Sequence, residues 1–184
     1  MEKKPKGIKR VDYVIITHPH PDHIGGLSEV REKLTVGRII TSGTKRYSFF
    51  IVVDPQKQRE LQRYSTDEDE KSLIVLIATG GKLSIISGDN SLYGFVQTYF
   101  PYYYQGNGQW AQESWPLYVL EYPHHGLRQS NLEKNLRPEH TIFSIDKSAV
   151  GVGVPLAGIK AMEKVGSQTH WTTNGDIVLN QKGA

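Results

Sequence analysis

Thr17-His18-Pro19-His20-Pro21-Asp22-His23-Ile24-Gly25-Gly26 is the stretch on which the reading of this chain turns. His18 and His20 each precede a proline, which biases both toward extended backbone. In an extended chain residues i and i+2 point to the same side, so the two imidazoles are able to face one cation. Asp22 and His23 come after the turn and are placed to face a second. Neutral imidazole suits zinc, iron, manganese or nickel, and carboxylate suits the harder end of that range. The bland alternative is a polar turn with accidental histidines. Four ligand-type residues at this spacing are hard to assemble by chance in a chain with 7 His.

Working outward, residues 11–17 read as a strand with a buried apolar run, Val14-Ile15-Ile16. Residues 27–34 read as a short amphipathic helix with Leu27, Val30 and Leu34 on one face. Residues 36–41 and 49–53 read as two more strands. Asp54-Pro55 looks like an N-cap followed by proline at the first helical position, opening a polar helix to about residue 64. In the charged loop after it, Asp67-Glu68-Asp69-Glu70 lacks the glycine and the alternation of a calcium loop and reads as solvated. Residues 72–79 and 82–87 flank Gly80-Gly81, which makes them the clearest hairpin in the chain. Gly88-Asp89-Asn90 follows at once. A helix is expected over 92–100, a strand over 117–122, a strand over 141–146 and a helix over 155–165. Residues 170–173 and 176–180 around Asn174-Gly175 read as a terminal hairpin. Strand–helix units mixed with antiparallel hairpins argue for an α/β fold of mixed sheets covered by helices.

The chain has 184 residues, enough for one domain with one core, so 1–184 reads as a single domain with a basic tail over 1–10. Cysteine is absent, which excludes disulfides, cysteine-ligated zinc and thiol catalysis. The first residues are polar and basic with no apolar segment behind them, so no secretory signal is read and a cytoplasmic location is expected. No apolar run approaches the length of about 18 residues that a membrane span needs. The net charge of +3 is compatible with an anionic substrate but falls short of a dedicated nucleic-acid surface. Lys3, Lys4, Lys6, Lys9 and Arg10 contribute to it, and that tail reads as solvated.

Three groups of ligand-type residues each follow an expected strand: His18, His20, Asp22 and His23 after the first, Asp89 after the hairpin, His124 and His125 after 117–122. Binding sites in layered α/β proteins gather beyond the carboxyl ends of strands, so groups distant in sequence are able to meet there. Asp89 would bridge two ions, although Gly-Asp-Asn is also ordinary turn chemistry. At least one of His124 and His125 is expected to be a ligand, and the residues do not choose between them. His140, before a strand, and His170, beside Trp171, have no partner pattern and read as structural.

The first motif resembles the signature of the metallo-β-lactamase-fold hydrolases. Ser72-Leu73-Ile74-Val75-Leu76, Ser87-Gly88-Asp89, Tyr122-Pro123-His124-His125-Gly126 and Thr172-Thr173-Asn174-Gly175-Asp176-Ile177 narrow the resemblance to the C-terminal domain of ComEC-type competence proteins and their free-standing relatives. The resemblance covers most of the chain, from about Val11 to Leu179. It implies a four-layer αββα sandwich with one or two metals at the edge between its sheets. Carried over, His18 and His20 belong to the first metal, Asp22 and His23 to the second, Asp89 to both, and His124 or His125 is the late histidine. Two departures stand out. Superfamily members usually place another metal-binding histidine before the bridging aspartate, and here none lies between His23 and His124; the first metal would then be weakly held or completed by water. The family also has two or more strands before the motif, so part of the first sheet is expected to be missing or supplied by another copy of the chain through an exposed edge. The serine usual after the late His-Gly is replaced by Leu127.

The expected cofactor is one or two divalent ions, zinc first, with manganese or iron as alternatives. Such ions lower the pKa of bound water to about 7 and supply hydroxide at neutral pH. Asp22 and Asp89 are the candidates to orient the nucleophile, and a late histidine not used as ligand, with His125 assigned to that part, would hand a proton to the leaving group. The resemblance and the mild positive charge favour a phosphodiester, with single-stranded DNA or RNA as the partner. Tyr99, Phe100, Tyr102, Tyr103 and Tyr104 surround Pro101; their preferred reading is packing at a helix end, and the rival is stacking on bases. Two rival functions remain: hydrolysis of a small ester, lactone or phosphocholine-type ester, and a catalytically idle metal-binding or interaction module. A β-lactamase proper is disfavoured, because the third histidine and the cysteine of one major class are both missing.

Overall fold

The computed structural model describes residues 7–62, 67–96, 116–127, 132–134, 136–145, 154–174, 177 and 179. β1 (Arg10–Ile15) and β2 (Thr35–Ile40) pair in parallel, with Arg10 opposite Thr35 and Ile15 opposite Ile40. Parallel neighbours need a crossover. The helical turn α1 (Pro21–Ile24) and helix α2 (Leu27–Lys33) provide it. The second sheet has seven strands among the described residues: β3 (Lys45–Arg46), β4 (Phe50–Val53), β5 (Ile74–Thr79), β6 (Lys82–Ile86), β7 (Leu117–Glu121), β8 (His140–Phe143) and β9 (Gln168–Trp171). They lie side by side in chain order. β3 to β6 run antiparallel, and β6 to β9 run parallel.

The side chains of β4 and β5 explain how the layers hold together. Successive residues of a strand point to opposite faces. Phe50, Val52, Leu73 and Val75 form a core with Ile40 and the half-buried Ile15, so they fill the space between the two sheets. Ile51, Val53, Ile74 and Leu76 point the other way, into the larger core with Leu120, Tyr122, Phe143 and the helix residues Ile159 and Met162. Both faces of these strands are therefore buried, as the uninterrupted apolar runs require. Helix α4 (Val154–Lys164) closes that core. It approaches closely because Gly158 has no Cβ, which would stand 3.1 Å from the Tyr122 ring. Leu27, Val30 and Leu34 of the α2 segment are half-buried, and α2 lies against β2. The order is helix, sheet, sheet, helix, an α/β fold of the αββα kind.

Several expectations shift. The helix expected after Asp54 is two short pieces: a 3-10 turn (Pro55–Lys57), then α3 (Arg59–Gln62). Asp54 does cap the first, its Oδ1 accepting from the Gln56 N–H at 3.0 Å, while its other oxygen accepts from the Gly43 N–H. The cap is thus tied to a neighbouring loop rather than aligned for a longer helix. Of the run expected to be buried, Val14-Ile15-Ile16, Ile16 is buried and Val14 and Ile15 are half-buried. His140 lies within β8 rather than before it. β9 begins at Gln168, pairs in parallel with β8, and ends in a 3-10 turn (Thr172–Asn174). Most of the second arm of the expected terminal hairpin, the aromatic cluster 99–104 and residues 1–6 lie outside the described residues. No helix among the described residues is long and apolar enough to cross a membrane.

Candidate metal centre

Four chain segments reach one edge of the seven-stranded sheet. The chain leaving β1 carries Thr17 and His18, and it is fixed to the start of the next sheet by the Leu73 N–H donating to the Thr17 carbonyl at 2.8 Å. β6 ends in Ser87-Gly88-Asp89, and β7 ends in the His124–Gly126 turn. The fourth is the 3-10 turn Asp69–Lys71, which precedes β5. β5 runs antiparallel to β6, with Val75 opposite Ile86, so the beginning of β5 and the end of β6 share that edge.

Local sequence sets each side chain. His20 is extended (φ −64°, ψ 145°), as Pro21 demands, and it N-caps α1. His124 and His125 are both left-handed, at φ 49° and 54°. Such backbone costs about 1 kcal/mol or more per residue and persists only when its surroundings over-determine it. They do. The His124 N–H donates to the Gly88 carbonyl at 3.0 Å, and His125 Nδ1 sits 2.7 Å from the Ser144 carbonyl.

Two ligand groups result. His18, His20, Asp69 and Asp89 bring one donor atom each within 4.8 Å of one another, and Asp22, His23 and His125 do the same. Asp89 lies between them. Its Oδ2 is 3.4 Å from His18 Nε2, while its Oδ1 is 3.1 Å from His23 Nε2 and 3.5 Å from His125 Nε2. Within the groups His18 Nε2 meets His20 Nδ1 at 2.9 Å, and His23 Nε2 meets His125 Nε2 at 3.2 Å. His124 belongs to neither group but touches the first, with Nδ1 3.4 Å from Asp69 Oδ2 and Nε2 4.0 Å from Asp89 Oδ2.

The surrounding groups present these atoms as ligands. The Ser144 carbonyl only accepts, so it keeps the proton on His125 Nδ1 and leaves Nε2 bare. Thr17 Oγ1 lies 3.2 Å from His18 Nδ1 and 3.4 Å from His23 Nδ1. If that hydroxyl oxygen accepts from both rings, as it is able to, both Nε2 atoms are free, one in each group. Burial, then the neighbouring His23, lowers the pKa of His18 and keeps its ring neutral. Burial would raise the Asp22 carboxyl, but its own backbone N–H, His23 and His125 outweigh that and hold it below the ordinary range. Glu121 braces the site from behind: its Oε2 accepts from the Ser87 and Gly88 N–H groups, both at 3.2 Å. Burial pushes that carboxyl up in spite of these bonds.

The donor set fits divalent cations. Asp89 Oδ1 and His124 Nδ1 are buried without a hydrogen-bond partner although charged or polar atoms stand close by. Atoms that crowd together without aligning as donor and acceptor are aimed at a common point between them. An orphaned buried carboxylate oxygen is costly unless something of opposite charge meets it.

The family model of the metallo-beta-lactamase superfamily matches residues 1–102, more than half of the chain. This chain belongs to the metallo-beta-lactamase superfamily. No curated protein matches it. The matched span of this superfamily member contains both ligand groups except His125, and it stops short of His124 as well. Membership suggests a metal-dependent hydrolase, and the His/Asp cluster suits the divalent metals the superfamily binds.

Six of the seven residues singled out in the sequence fall within the two groups, and His124 stands at their margin. The acidic run departs from a solvated loop at Asp69. Asp69 is no solvated loop residue: its side chain is 12% exposed and faces His20 and His124. Asp69 precedes a strand, whereas the other ligand-type residues follow one. The signal that would have found it is the antiparallel hairpin itself, which returns the start of β5 to the edge where β6 ends. His140 and His170 face each other on β8 and β9 at 3.1 Å, apart from both groups.

Proposed function

We propose that this protein is a metal-dependent hydrolase acting on phosphodiesters, with single-stranded nucleic acid as the substrate class. The observation that carries the reading is the split posture of Asp89, one oxygen toward His18 and the other toward His23 and His125. A carboxylate facing two ligand groups is placed to be shared by two cations, should both bind. His18, His20 and Asp89 would hold one cation, and Asp22, His23, His125 and Asp89 the other. Bound there, two divalent cations would supply Lewis acidity and a nucleophile at neutral pH.

The protein's own residues supply the rest. Thr17 and the Ser144 carbonyl hold three rings in the ligating tautomer. Asp22, 61% exposed at its side chain, is the carboxylate placed to orient an incoming water. His124, outside both groups and one-fifth exposed at its side chain, is placed to pass a proton to a leaving group. His125 is thereby a ligand rather than the proton donor. With Asp22 and Asp89 as the ligating carboxylates, two divalent cations would leave the centre net cationic while its imidazoles are neutral, which suits an anionic diester. The ComEC-type resemblance of the later motifs supports the same choice.

The test is metal content by elemental analysis, beside an Asp22→Ala/His23→Ala double variant, with turnover of bis(4-nitrophenyl) phosphate and of 4-nitrophenyl acetate. About two equivalents, falling to about one in the variant, with diester cleavage abolished by EDTA, is the expected result. Turnover of the carboxylic ester alone would move the reading to small esters. No metal after supplementation with zinc and manganese would leave the idle-module reading.

A further inference from the structure

We propose that Asp69 is itself a metal ligand that completes the first site, giving both sites of the centre the same donor set. The inference rests on the dinuclear reading above. With Asp69, the first site offers two imidazoles (His18, His20), one carboxylate of its own and a share of Asp89. The second offers two imidazoles (His23, His125), one carboxylate of its own (Asp22) and the other oxygen of Asp89. No histidine between His23 and His124 is present in the sequence to fill that place.

The placement is built. Asp69 Oδ1 is 3.8 Å from His20 Nδ1 and Oδ2 is 3.4 Å from His124 Nδ1, with a donor atom within 4.8 Å of those of His18 and Asp89. The turn that carries it is pinned on both sides. The Asn90 amide donates to the Glu70 carbonyl at 2.6 Å, and the Ser91 N–H donates to Glu70 Oε1 at 3.1 Å. The Ser72 N–H closes the turn on the Asp69 carbonyl at 3.0 Å, and Leu73 is tied to Thr17. The segment bearing Asp69 is thus fastened to the segments bearing Asp89 and His18. A solvated acidic loop needs none of these bonds.

Two consequences follow from the donor set. Equal sets give the two sites comparable affinity, where a site lacking its third ligand would bind weakly. Two carboxylates at each ion also soften the advantage of zinc over harder cations such as manganese, because oxygen donors favour the harder ion.

The experiment titrates metal-free full-length protein with Zn²⁺ and with Mn²⁺ by calorimetry, checking stoichiometry by native mass spectrometry, for wild type, Asp69→Asn and Asp69→His. The expected outcome is two comparable binding events in wild type. In Asp69→Asn one event persists and the other weakens by at least roughly 10- to 100-fold, the loss that even an outer partner of a ligand causes. Asp69→His recovers zinc at that site while discriminating against manganese more strongly than wild type does. Circular dichroism reports whether each variant is folded, and Asp69→His, which replaces one ligand type by another, carries the test if Asp69→Asn is not. Two events of unchanged affinity in Asp69→Asn would overturn the assignment and leave the dinuclear reading standing. No binding in wild type would overturn both.

Discussion

Two regions of this protein bring imidazoles into contact, and only one of them surrounds its rings with the carboxylates a metal centre needs. At the sheet edge His18 meets His20 at 2.9 Å and His23 meets His125 at 3.2 Å. On β8 and β9 His140 meets His170 at 3.1 Å, just as closely. The difference is what stands around the rings. The first set faces Asp22, Asp69 and Asp89. The second has Glu139 near, its Oε1 3.7 Å from His140 Nε2, but the other oxygen of Glu139 is taken by the Lys82 ammonium at 2.8 Å. The His140 ring packs edge-on against Tyr118. A carboxylate already paired with an ammonium leaves the second pair without the converging acidic oxygens that surround the first. Histidine proximity is therefore a poor indicator of a ligand set, and the partners of the histidines are a good one.

The sharpest way to break the contrast is at the carboxylate both groups share. Asp89→Ala removes an oxygen from each group at once. Metal affinity should fall by more than about 100-fold at both sites, above the loss expected from an outer partner alone. A His140→Gln/His170→Gln double variant should keep wild-type metal content. Elemental analysis of the purified proteins after equal metal loading decides the matter. An Asp89→Ala protein that keeps both ions, or a histidine-pair variant that loses one, would erase the distinction.

A smaller effect should come from Thr17, which touches no cation in this reading but accepts from His18 and His23. Thr17→Val keeps the shape and removes the acceptor, so both rings are released from their ligating tautomer. Affinity should drop about 10- to 100-fold at both sites together, the usual cost of losing an outer partner. Thr17→Ser should retain most of it. The hydroxyl position also depends on Gly88, at φ 54°, whose absent Cβ would stand 2.7 Å from Thr17 Oγ1. A calorimetric titration in which Thr17→Val weakens only one of the two sites would show that the hydroxyl serves a single ring.

Much of this was legible in the sequence, for reasons that can be named. Pro19 and Pro21 fix the backbone of the first motif locally, so its two histidines were readable without any tertiary information. Gly80-Gly81 fixed the hairpin in the same way. Val75, Leu76, Leu83 and Ile85 then followed as apolar strand residues. What failed depended on distant contacts. Asp69 looks like any residue of an acidic run until an antiparallel strand and Asn90 draw its turn to the edge. His124 and His125 are adjacent in sequence, and only the two left-handed residues and the Ser144 carbonyl send one ring to each place. The helix expected after Asp54 breaks where Gln58 turns extended, which nothing in its local sequence announces. Such bonds cross 10 to 60 residues of chain and leave no periodic trace.

The smallest expected effect returns to the second histidine pair and concerns pH. Burial, first of all, lowers the pKa of His140; Glu139 opposes this, while His170 and Lys82 add to it. A histidine whose folded pKa lies below its unfolded value is neutral in both states at high pH. As pH falls below about 6.5, the unfolded chain takes up the proton first, and folding loses stability. Thermal unfolding of wild type should therefore lose a little more between about pH 8 and about pH 5 than that of His140→Gln under the same metal loading, by about 1–3 °C in midpoint for one weakly shifted group. The metal ligands are the same in both proteins, so their acid lability cancels in the comparison. Equal losses in the two proteins would mean that His140 titrates as it does in the unfolded chain. The second pair would then differ from His18, whose pKa burial lowers, in its titration as well as in its neighbours.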